Sequence, residues 1–111
     1  MMTPRLQQLY TFLKDSPTDS FILFAIAKEY EKIGDKEKAL GYYIGLKDLD
    51  PDYVGTYYHL GKLYESNEDF KAAFFTYKKG MEIAKKLGDQ HAFNELAGAK
   101  LGVGDDEDFE D

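Results

Sequence analysis

A repeat of 34 residues constrains this chain more than any other feature. Pro17 and Pro51 are 34 positions apart, and the same offset carries Leu23 to Tyr57, Ile26 to Leu60, Ala27 to Gly61 and Tyr30 to Tyr64. Further along it carries Asp35 to Asp69, Ala39 to Ala73 and Tyr43 to Tyr77. Size and type are kept, small on small and tyrosine on tyrosine, which shared hydrophobicity alone does not require. A unit recurring at such a period cannot bury its apolar face alone and gains that burial by stacking on its neighbours.

Within each unit the apolar spacing is helical. Leu6, Leu9, Tyr10 and Leu13 fall at i, i+3, i+4 and i+7, as do Leu23, Ile26, Ala27 and Tyr30, and Tyr57, Leu60, Gly61 and Tyr64. No stretch sustains the alternation of a strand. Breakers at 15–20 (DSPTDS), 33–37 (IGDKE), 49–53 (LDPDY), 66–69 (SNED) and 87–90 (LGDQ) bring Asp and Ser as caps, and Pro or Gly as stops. The pattern predicts an all-α chain of about six helices, over 4–15, 19–33, 36–49, 53–66, 69–87 and 90–101. Connections this short favour antiparallel packing of neighbours.

Composition narrows the function. The chain has 111 residues and no cysteine, which removes disulfides, thiolate catalysis and Cys-ligated zinc. Its net charge of −7 is concentrated in DDEDFED at 105–111, and outside that stretch acids and bases nearly cancel. With no basic stripe and an acidic end, nucleic acid is not an expected partner. No apolar run reaches the roughly 20 residues of a membrane span, and the opening residues lack the apolar core of a signal peptide. A cytoplasmic location is the expectation, with no membrane contact. His59 and His91 are the histidines; Glu95 follows His91 by four positions, a spacing that suits a surface contact better than a metal site. No nucleophile–base arrangement or phosphate-binding glycine loop is visible, so neither catalysis nor a metal or other cofactor is expected.

The residues that repeat resemble the tetratricopeptide repeat (TPR) family: a large residue, Leu-Gly or Leu-Ala, then Tyr in a first helix, followed by Ala and an aromatic in a second, with Pro before the next unit. Residues 20–53 carry this as Leu23, Ile26-Ala27, Tyr30, Ala39, Tyr43 and Pro51, and residues 54–87 as Tyr57, Leu60-Gly61, Tyr64, Ala73 and Tyr77. Half repeats flank them at 4–17 and 90–101, making a helical domain over 1–101 and leaving 102–111 as an acidic tail expected to be disordered. Three features depart from the pattern. Lys85 stands where Pro is expected, so that helix should run on; Gly80 replaces a larger residue; and the third repeat breaks off after Leu101.

The resemblance implies a right-handed superhelix of antiparallel helix pairs, whose first helices line a concave groove. Phe21, Phe24, Lys28 and Glu31 take that role in one repeat, Tyr58, Lys62 and Glu65 in the next, and Asn94 in the partial third. Tyr30, Tyr43, Tyr57, Tyr64 and Tyr77 fall at signature packing positions instead. Phe24 and Tyr58 would offer rings to an apolar side chain, and the equivalent Lys28 and Lys62 would seat acidic groups. The residues with which some TPR proteins grip a chaperone's C-terminal carboxylate are missing, since Phe24 and Lys28 stand where Lys and Asn belong. The expected function is non-catalytic binding of a protein or peptide with acidic and apolar groups. The alternative is a structural homo-oligomer, the chain otherwise being a monomer, with Phe93, Leu96 and Leu101 on an outer face of the last helix. Phe109 in the tail is a further candidate, either docking on a partner or folding back near Lys28 and Lys62.

Overall fold

The structure is a computed structural model that describes residues 2–109. The described residues form six α-helices and no strand: α1 (Pro4–Asp15), α2 (Ser20–Lys32), α3 (Lys36–Leu49), α4 (Gly55–Ser66), α5 (Phe70–Leu87) and α6 (Gln90–Val103). They divide into a unit containing α1–α3, up to Tyr53, and a unit containing α4–α6, from Val54.

Aspartates start most of these helices. Asp19, Asp35, Asp69 and Asp89 each accept a hydrogen bond from the backbone N–H three residues on, and Thr3 does the same for α1. Each such cap satisfies a donor that the first turn leaves open, for about 1 kcal/mol. Endings are equally local. Gly34 (φ 86°), Glu68 (φ 60°) and Gly88 (φ 73°) turn the chain in the left-handed region just before the next capping aspartate. The N–H of that aspartate reaches back to the last turn at 2.9 Å, from Asp35 to Tyr30, Asp69 to Tyr64 and Asp89 to Ala84. With no proline to stop it, α5 runs through Lys85 to Leu87.

In the first unit, Ile26, Ala27 and Tyr30 of α2 are buried with Ala39, Tyr43 and Leu46 of α3, while α1 contributes Leu6 and Leu9. Three phenols tie the helices together. Tyr10 Oη lies 2.8 Å from Tyr30 Oη and 2.7 Å from Tyr42 Oη, and the Tyr30 and Tyr42 rings stack.

In the second unit, Tyr57 and Leu60 of α4 are buried with Ala73, Tyr77, Ile83 and Ala84 of α5 and Leu96 of α6. A Cβ on Gly61 would lie 2.2 Å from Cε1 of the buried Tyr77, and one on Gly80 would lie 2.5 Å from Tyr57 Cβ. Both glycines are contact points between helices. Tertiary contact therefore overrides their poor helix propensity, and the departure at Gly80 has its cause in Tyr57.

Tyr64 is half-buried and packs against this core, and its neighbour Leu63 is buried. One expectation about facing needs correction. On α6, Leu96 is buried and Phe93 packs against the same core; of the three residues expected on an outer face, Leu101 alone is exposed, at 73%. The segment after α6 is described as far as Phe109. Residues 105–108 form a turn, and Phe109 lies against Phe74 of α5, with ring centroids 4.7 Å apart.

Candidate functional site

The sequence-predicted site residues lie on the first helix of each helical pair: Phe21, Phe24, Lys28 and Glu31 on α2, and Tyr58, Lys62 and Glu65 on α4. Phe21, Lys28 and Lys62 are exposed, whereas Phe24, Glu31, Tyr58 and Glu65 are half-buried at the edge of each helical pair.

On α2, Phe24 packs edge-on to Tyr43 at 5.9 Å and lies tilted to Tyr53 at 5.4 Å. Lys28, one turn on, holds its ammonium 5.5 Å from the Phe24 ring centroid. Tyr43 donates its hydroxyl to Glu31 Oε1 at 2.5 Å. Burial first, and then the hydrogen bond to Glu31, push the Tyr43 phenol far above its ordinary value. It therefore stays protonated and keeps donating, so the Glu31 carboxylate is held in place from α3.

The same arrangement recurs one repeat later. Tyr58 lies tilted to Tyr77 at 6.5 Å, Lys62 sits 5.5 Å from the Tyr58 centroid, and Tyr77 donates its hydroxyl to Glu65. Burial and then Glu65 raise the Tyr77 phenol as they do Tyr43. Lys62 also pairs with Glu65 at 3.6 Å, a surface ion pair of little worth in water. His59 packs edge-on against Tyr58 at 5.8 Å, so it flanks the ring.

Each station therefore has an aromatic ring, a lysine above it, and a glutamate fixed by a buried tyrosine. The distance of 12 residues from Glu31 to Tyr43 and again from Glu65 to Tyr77 is the signal that would have paired them. Sequence reasoning assigned Tyr43 and Tyr77 to packing alone.

The structure also brings in residues that the repeat does not mark. Phe21, Phe24 and Lys28 line a hollow of about 370 Å³ together with Arg5 of α1 and Lys32 of α2. Phe21 is 67% exposed at its rim, so α1 does not cover it. Glu29 is the acid on this lining, against three cations, and Glu31 is not part of it. A carboxylate entering the hollow would meet net positive charge beside two rings. Arg5 belongs to the flanking half repeat, where the 34-residue offset sets it against Ala39 and Ala73, so the repeat pattern marks no cation there. Asn94 is not gathered into either station; it is exposed on α6 and accepts from Gln90 Nε2 at 2.8 Å.

No group of three or more potential His, Asp or Glu metal ligands occurs among the described residues. No helix there is long and apolar enough to cross a membrane.

A tetratricopeptide repeat family model matches residues 22–53 and 54–87. The chain is similar to the tetratricopeptide repeat domain protein of Salinibacter ruber in its crystal structure, at 45% identity over 77% of this chain and 96% of that one, with a TM-score of 0.75. The solution structure from Salinibacter ruber aligns at 42% identity over 86% of this chain and 96% of that one, with a TM-score of 0.77. A protein of Bordetella parapertussis shares the fold at 23% identity, over 93% of this chain and 89% of that one, with a TM-score of 0.77. No curated protein matches the chain.

Proposed function

Because this chain belongs to the tetratricopeptide repeat family, whose repeats generally mediate protein–protein interaction without catalysis, we propose that it binds a protein segment along α2 and α4. The observation that supports this reading is the duplicated station: Phe24, Lys28, Glu31 and Tyr43 recur as Tyr58, Lys62, Glu65 and Tyr77 in type, spacing and contact. Packing alone does not require a lysine above each half-buried ring or a carboxylate fixed beside it.

The segment is acidic and carries an apolar side chain. Its apolar group enters the hollow at Phe21 and Phe24, and its carboxylates meet Arg5, Lys28 and Lys32. At the second station the Tyr58 ring offers the apolar contact, and an incoming acid has only the weak Lys62–Glu65 pair to displace. Self-assembly through α6 is the weaker reading, since only Leu101 of its three expected residues is exposed.

Capture of partners from native lysate on the immobilised chain, repeated with Phe24, Lys28, Tyr58 and Lys62 all changed to Ala, tests the proposal. Loss of the captured species from the quadruple variant, with helical content unchanged, is the expected result. Full retention would overturn it.

A further inference from the structure

The outer side of α5 and α6 already holds a peptide, and that peptide belongs to this chain. After α6 the backbone makes a compact turn. The Asp108 N–H donates to the Asp105 carbonyl at 3.0 Å, the Asp105 N–H to Asp108 Oδ2 at 2.9 Å, and the Glu107 N–H to Asp105 Oδ1 at 2.9 Å. These bonds occupy the carboxylates of Asp105 and Asp108 and leave Asp106 to face the helices. Asp106 Oδ1 lies 3.8 Å from Lys100 Nζ and 4.0 Å from Lys78 Nζ. Three residues on, the Phe109 ring meets Phe74 at 4.7 Å. Lys100 also holds its ammonium 4.7 Å from the Phe74 centroid, and its side chain is only 16% exposed. The receptor surface is thus a buried ring with two lysines, and its occupant supplies an aspartate and an aromatic at a spacing of three.

The ionic part of this contact is weak, and the occupant fills the surface incompletely. Asp106 is 74% exposed, so its ion pairs contribute little in water and weaken further with salt. Beside it a hollow of about 280 Å³ remains, lined by Met81 and Phe93 with Lys78, Lys85 and Lys100 around them and Glu82 as the acid of α5. A longer segment could place an apolar side chain there while repeating the contacts of Asp106 and Phe109.

We infer that this face of α5 and α6 is a second docking surface, for acidic segments with an aromatic three residues after a contacting aspartate, and that residues 104–109 occupy it in cis as a displaceable competitor. The partner is another protein segment of this chemistry. Its apparent affinity is reduced by the fraction of chains whose own segment has let go. The surface is distinct from the stations on α2 and α4, and its inference does not depend on them.

A labelled peptide with the sequence of residues 104–109, GDDEDF, serves as the probe in fluorescence anisotropy against the full chain. The variant carrying Asp106→Lys and Phe109→Ala should bind it about tenfold or more tighter than the unaltered chain, because the cis segment no longer competes. Adding Lys78→Glu and Lys100→Glu to that variant should remove binding, while adding Lys28→Ala and Lys62→Ala should leave it unchanged. Amide spectra of each variant verify the fold. Equal affinity for the unaltered and tail-altered chains, no binding to either at millimolar peptide, or an affinity that follows Lys28 and Lys62 would each overturn the inference.

Discussion

Glu68 and Gly34 are equivalent residues in the two repeats, and both adopt a left-handed backbone, at φ 60° and 86°. Glycine enters that region freely, whereas a residue with a Cβ gives up roughly 1–2 kcal/mol there. Glycine also costs about 0.4–1 kcal/mol by freeing the unfolded chain, so the two effects partly cancel. Glu68→Gly should therefore stabilise the protein slightly, by about 0.5–1 kcal/mol, and raise the melting temperature by a few degrees in calorimetry. A fall in melting temperature would mean that the Glu68 side chain contributes more than its backbone loses. Ala27 and Gly61 show the opposite balance. They too are equivalent, yet a Cβ at position 61 would run into Tyr77, so here the packing and not the turn demands glycine.

At the scale of elements, the helical pairs α2–α3 and α4–α5 are each clasped by a tyrosine that donates to a glutamate of the facing helix. Both phenols are pushed well above the ordinary value of about 10, by burial and then by the carboxylate. A raised folded value means that the unfolded chain gives up the proton first as pH rises, so stability is whole below about pH 10 and declines above it. Urea unfolding as a function of pH should show this decline, and Tyr43→Phe with Tyr77→Phe should lessen it, the remainder belonging to Tyr10, Tyr53 and Tyr64, which burial also raises. A decline of the same steepness in the double variant would place its origin elsewhere.

Much at this scale was legible in advance. Aspartate caps, breakers and the 34-residue offset located all six helices to within two residues at each end, because caps and breakers act locally and the offset carries one repeat's boundaries onto the next. What escaped was facing and pairing. Leu96 turns inward on a helix whose apolar residues allow several orientations. Arg5 beside Lys28, or Phe109 against Phe74, joins residues far apart in sequence that share no period, and nothing in the spacing announces such a meeting.

Taken as a whole, the molecule separates its charges by role. Six of the 21 acids lie in 105–111, where Asp106 meets lysines of α5 and α6. The α1–α2 hollow keeps its surplus of cations. Binding along the first helices of the repeats is the central claim, and site-specific photo-crosslinking tests it most directly. A photoreactive phenylalanine analogue at position 21 of α2 or 58 of α4 should yield covalent adducts with a captured protein. The same group at the exposed positions 33, after α2, and 49 of α3 serves as the control. The account predicts adducts from positions 21 and 58 and none from 33 and 49. Adducts from 33 or 49, with none from 21 or 58, would contradict it.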